Sequence, residues 1–149
     1  MRILLNDLHR ESRIVKSKTL RAIKKVVDNC NFILGQEVAD FENKFAKYCE
    51  VKYSIGVANG TAALFLALKS LGIGKGDEVI TSVISFGATV EAIIHTGATP
   101  VFVDVDPLNL SINAELVEEK ITAKTKAILP VHLYGFPARF CVLKEFNLP

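Results

Sequence analysis

After Glu50 the chain alternates between short β-rich runs and helical patterns, and this alternation restricts the fold more than any other feature. YSIGVA, DEVITS, TPVFVDV and KAILPVHLY predict strands over Tyr53–Ala58, Asp77–Ser82, Thr99–Val105 and Lys126–Tyr134. Helical spacing fills the gaps at Thr61–Leu71, Phe86–Thr96 and Asn113–Ile121. Strands that alternate with helices are joined by right-handed crossovers. The expected class is therefore α/β, in three layers, with a mostly parallel sheet covered on both faces. Gly72, Gly74 and Gly76 precede the second strand, Gly97 follows a helix, and Pro100 opens the third strand. A dinucleotide fingerprint follows a strand and opens a helix, so GIGKGD, which precedes a strand, reads as a turn.

The first fifty residues have a different texture. Ile14, Val15, Leu20, Ile23, Val26 and Val27 recur at helical spacing between basic residues, predicting an amphipathic helix over Arg13–Asn29 with a solvated basic face. A second helix is expected over Glu37–Cys49, with Val38, Phe41, Phe45 and Ala46 on one face. FILGQE forms the loop between them, hinged at Gly35.

Composition excludes several classes. The chain has 149 residues, half of them hydrophobic, enough for one domain with a core. Its 18 Lys and Arg stand against 16 Asp and Glu, and a net charge of +2 favours neither nucleic acid nor an anionic membrane as partner. Cys30, Cys49 and Cys141 lie far apart with no CxxC and no histidine cluster, so they read as buried free thiols of a reducing compartment, and no metal site is expected. The opening MRILLNDLHR has too short an apolar run for a signal peptide, and no segment approaches the ~20 apolar residues of a membrane helix. A cytoplasmic location is the expectation. Arg139–Phe146 reads as a last helix and Asn147-Leu148-Pro149 as the turn into a further strand, so the sequence is expected to be incomplete, with an exposed sheet edge.

The junction VANGTAALFLAL, Val57–Leu68, carries the first functional signal. In open α/β sheets ligands bind beyond the carboxyl ends of strands. The first N–H groups of a helix there are unpaired and the helix dipole adds positive potential, which suits a phosphate. Gly60 permits close approach and the Thr61 hydroxyl adds a donor. Asn59 or Thr61 acting only as a helix cap explains the same residues. The helix that follows reads as too apolar for a surface.

Five stretches, FILGQE, VANGTAAL, DEVITSVISFGAT, GATPVFVDVDP and PVHLYGFP, in this order and spacing, resemble the DegT/DnrJ/EryC1/StrS aminotransferases over nearly the whole chain. The resemblance implies the aspartate-aminotransferase fold (fold type I), with residues 1–149 forming an amino-terminal segment plus part of the large domain. It also implies pyridoxal 5'-phosphate as cofactor, a nucleotide-linked keto sugar and an amino-acid donor as substrates, and a homodimer in full-length relatives.

By position, Gly60, Thr61 and Ala62 match the residues that hold the cofactor phosphate, and Phe86 matches the aromatic stacked on the pyridine ring. Phe86 also reads as a core residue at a helix start. His132 and Tyr134, ending a strand, either flank the cofactor or pack. Asp104 and Asp106 are either an acid–base pair or a turn before Pro107. Phe32 and Gly35 match a loop near the substrate entrance.

Transamination needs a lysine that forms a Schiff base and an acid on the pyridine nitrogen. In the family both lie downstream of the matched stretches, and none of the lysines here lies in the matching context, so no catalytic residue is assigned. The resemblance also departs at Ala138-Arg139-Phe140-Cys141, where members usually carry acidic residues flanking a methionine. Two other readings are a catalytically inactive fragment or interaction module, and a relative that dehydrates sugars.

Overall fold

In the computed structural model, residue 4 and residues 6–149 are described; the apolar run at residues 3–5 falls mostly outside them. The chain divides into two compact units, Met1–Gly56 and Val57–Pro149.

The first unit is helical. Helix α1 spans Leu8–Asn29, five residues earlier than periodicity predicts, because Asp7 caps it by accepting from the Arg10 N–H at 3.1 Å. None of its side chains is buried, and Ile14, Val15, Leu20, Ile23 and Val27 are more than half exposed. Helix α2, Gln36–Tyr48, opens on Gly35. A Cβ at Gly35 would stand 3.0 Å from the Asn31 carbonyl oxygen, so the entry into α2 requires glycine. Lys25 lies 3.1 Å from Glu37, and its hydrogen bond holds that carboxyl below the usual glutamate range.

The predicted strand Tyr53–Ala58 does not form. A strand exists only with a hydrogen-bonding neighbour, and among the described residues none pairs with this segment. Instead the Gly56 N–H donates to the Glu42 carboxylate at 2.6 Å.

The second unit is the α/β layer structure. Helix α3 covers Gly60–Ser70, strand β1 Glu78–Ser82, helix α4 Gly87–Thr96, strand β2 Thr99–Val103, helix α5 Ala114–Val117, strand β3 Thr125–Leu129 and helix α6 Phe140–Leu143. Helices α5 and α6 each continue as a 3₁₀ turn, to Lys120 and Phe146, within the predicted helical stretches. The sheet is parallel, in the order β2-β1-β3, with Ile80 opposite Val101 on one side and Ile128 on the other. Val105 lies outside β2, in an isolated antiparallel bridge with Ile112.

Side chains alternate across β1. Val79 enters a core with Leu68, Ala92 and Ile93 of α3 and α4, whereas Ile80 enters a second core with Val117, Ala138 and Leu143 beside α5 and α6. The three layers follow directly. Gly97, with φ of 92°, ends α4 in the left-handed region, and a Cβ there would lie 3.3 Å from the Lys75 backbone nitrogen.

Two expectations about burial fail. Helix α3 buries only Leu68, with Leu64 and Phe65 partly covered and Leu66 about half exposed, because only one of its faces meets α4 and the sheet. All three cysteines are exposed rather than buried: Cys30 and Cys49 occupy helix C-caps and Cys141 sits on α6.

Candidate cofactor-phosphate site

Helices α3 and α4 determine where the site opens. The loop after α3 meets the end of α4, with Gly74 against the Thr96 carbonyl and Gly97 against Lys75. The two helices pack on each other, so they run side by side in the same direction. Their N-termini therefore face the same edge, the carboxyl edge of β1, from which α4 follows after Val83–Phe86.

At that edge Asn59 precedes α3 in an extended conformation, and its Oδ1 accepts from the Ala62 N–H at 2.9 Å. The Ala63 N–H donates to the Asn59 carbonyl at 3.0 Å. Asn59 is a true cap, yet it uses only Ala62, and among the described residues the Gly60 and Thr61 N–H groups and the Thr61 hydroxyl have no partner. Of the expected set of Gly60, Thr61 and Ala62, the Ala62 amide is the one that Asn59 engages.

No heavy atom lies within 4 Å of a Cβ built on Gly60, so the first turn is open to a ligand. Asn59, Thr61, Ala62 and Phe65, together with His95 of α4, line an open groove of about 510 Å³. Substituting Asn59 with alanine should lower stability by about 1 kcal/mol in urea unfolding, the usual cost of a lost cap.

Phe86 is the N-cap residue of α4 and does not line that groove; the residue is 79% exposed. It is not the core residue of the alternative reading, and it stands at the same edge as the α3 N-terminus. His132 and Tyr134 do not end a strand, because β3 stops at Leu129, before Pro130, and both residues fall in the turn that follows. His132 Nδ1 accepts from the Ala138 N–H at 3.0 Å, and Tyr134 sits in left-handed backbone, 86% exposed.

The aspartates are engaged locally. Asp104 accepts from the Val105 N–H and Asp106 from the Leu108 N–H, both at 2.8 Å, which is turn geometry. Phe32 is exposed in the loop before α2, in the other unit from the groove, and Gly35 is buried there. The departure at Ala138–Cys141 is accommodated: Ala138 is buried in the second core, and Arg139 pairs with Glu115 at 3.2 Å. Sequence reasoning missed His95, which carries no motif; only the packing of α4 beside α3 brings it to the groove. Among the described residues no cluster has metal-binding composition, and no helix is long and apolar enough to cross a membrane.

Comparison with known proteins places this geometry in context. Residues 13–147 match the model of the DegT/DnrJ/EryC1/StrS aminotransferase family. The chain is 44% identical over 142 residues to a dTDP-3-amino-3,6-dideoxy-alpha-D-galactopyranose transaminase of Aneurinibacillus thermoaerophilus, covering 95% of this chain and 38% of that protein. Among solved structures it is similar to S. venezuelae DesV in complex with a ketimine intermediate, with a TM-score of 0.95, 42% identity, and coverage of 99% of this chain and 41% of that one. It is also similar to the E. coli GDP-4-keto-6-deoxy-D-mannose-3-dehydratase with bound hydrated PLP, with a TM-score of 0.79, 34% identity, and coverage of 85% and 34%. The chain spans well under half the length of the curated relatives it matches.

Proposed function

Because the chain belongs to the DegT/DnrJ/EryC1/StrS aminotransferase family, we propose that it forms the phosphate-holding part of a pyridoxal-phosphate enzyme. The whole enzyme, on this reading, moves an amino group from an amino acid, glutamate, to a nucleotide-linked keto sugar. The observation that carries the reading is the α3 N-terminus, where two unpartnered amides and a free hydroxyl surround an open glycine.

These residues fit the phosphate end of the cofactor. The Gly60 and Thr61 N–H groups and Thr61 Oγ1 donate to phosphate oxygens, and the helix dipole favours their charge. Phe86 would supply the aromatic surface that stacks on the pyridine ring and excludes water there. When bound, pyridoxal phosphate supplies an electron sink for the charge left when a bond at the substrate carbon breaks. The Schiff-base lysine and the acid on the pyridine nitrogen belong, on this proposal, to the part of the family length that the chain does not span. The exposed apolar face of α1 and the stacked Phe41–Phe45 pair on α2 support a homodimer. A cytoplasmic location, with neither nucleic acid nor membrane as partner, completes the proposal.

Titrating the chain with pyridoxal phosphate, with pyridoxal as the phosphate-free control, tests the reading. Phosphate-dependent binding is expected, without a borohydride-reducible adduct at a defined lysine. Phe86→Ala should weaken that binding about three- to tenfold. Equal binding of pyridoxal and pyridoxal phosphate would overturn the proposed site.

A further inference from the structure

The turn after β3 contains a histidine whose orientation is dictated by a backbone group. Ala138 is 4% exposed, and its N–H meets His132 Nδ1 at 3.0 Å. A backbone N–H can only donate, so Nδ1 must accept with its lone pair, and the ring proton resides on Nε2. Rotating the ring would leave a buried N–H facing carbon, at the cost of an unmade hydrogen bond. The imidazole is therefore fixed both in rotamer and in tautomer.

His132 follows β3, which is parallel to β1, so it emerges at the same carboxyl edge as the α3 N-terminus and Phe86. Its side chain is exposed, leaving Nε2–H as a donor of set direction. On the cofactor reading above, α3 serves the phosphate oxygens at this edge. We propose that His132 is a binding residue that donates through Nε2–H to an acceptor oxygen of the bound cofactor other than its phosphate, while Nδ1 clamps the turn through Ala138. This rests on the cofactor reading above, and it assigns the histidine as a donor rather than a proton acceptor.

Two substitutions separate the roles of the two nitrogens. In His132→Asn the amide oxygen stands where Nδ1 stands, preserving the clamp while removing the Nε2 donor; His132→Gln places an amide near Nε2 and gives up the clamp. The readouts are hydrogen exchange at the Ala138 amide, ¹⁵N NMR of the imidazole in the unmodified chain, and binding of pyridoxal phosphate and of inorganic phosphate.

The expected result is a protonated Nε2 and bare Nδ1 in the unmodified chain. His132→Asn should keep Ala138 protected, bind pyridoxal phosphate about five- to tenfold more weakly, and bind inorganic phosphate unchanged. His132→Gln should lose Ala138 protection and retain more of the cofactor affinity than His132→Asn. A proton on Nδ1, or His132→Asn binding pyridoxal phosphate as well as the unmodified chain, overturns the donor role alone. Equal loss of inorganic phosphate in His132→Asn overturns its placement away from the phosphate. An unmodified chain that takes up no pyridoxal phosphate overturns the donor role and the cofactor reading together.

Discussion

Gly60→Asp is expected to cut pyridoxal-phosphate affinity by about a hundredfold while leaving the fold intact. The added side chain meets nothing within 4 Å, so it enters without a clash. Its carboxylate then occupies the positive end of α3, satisfies the free amides from within the chain and repels the incoming dianion. Losing two charge-assisted hydrogen bonds costs about 3 kcal/mol, which corresponds to that factor. An acid in the first turn of a helix is itself favourable by about 0.3–1 kcal/mol, so thermal stability should be unchanged or raised. Fluorescence titration beside a thermal melt reads both quantities. Unaltered affinity in a folded Gly60→Asp chain would remove the α3 N-terminus from the phosphate site.

Ile80→Ala should be the most damaging conservative change in the second unit, at about 3 kcal/mol of unfolding free energy. Ile80 is fully buried on the central strand and packs into the core formed with Val103, Val117 and Ile128. The neighbouring Val79 faces the opposite core, so β1 cannot shift to fill the cavity without disturbing the α3–α4 side. Urea unfolding followed by circular dichroism should show the midpoint fall with the slope unchanged. A loss below about 1 kcal/mol would mean that the two cores relax independently.

These two expectations rest on features of unequal legibility. Strands β1, β2 and β3 announce themselves as β-rich runs bounded by glycine and proline, and their alternation with helices suffices for a parallel sheet in three layers. Tyr53–Ala58 has the same local texture and forms no strand, because pairing depends on a neighbour that composition does not reveal. The last β-rich run is longer than its strand for a related reason: Pro130 cannot donate to a ladder, and β3 stops before it.

At the site, the turn chemistry of Asn59-Gly60-Thr61 was readable, but the division of labour among its amides was not. Only the placement of Asn59 Oδ1 shows that the Ala62 N–H is taken while those of Gly60 and Thr61 are free. Exposure was the least legible property. Cysteine is usually buried, yet the ends of α1 and α2 present Cys30 and Cys49 to solvent, and cap positions decide that rather than residue type.

The order β2-β1-β3 also has a consequence for biosynthesis. Among the described strands the one made first lies in the middle, so as the chain leaves the ribosome β1 has two unpaired edges until α4 and β2 have followed on one side and α5 and β3 on the other. During that interval Ile80 waits for core partners that all follow Ala98, from Val103 to Leu143, whereas Val79 can already meet those of α3 and α4. Translation speed across residues 83–129 thus sets how long a nascent, aggregation-prone strand stands open.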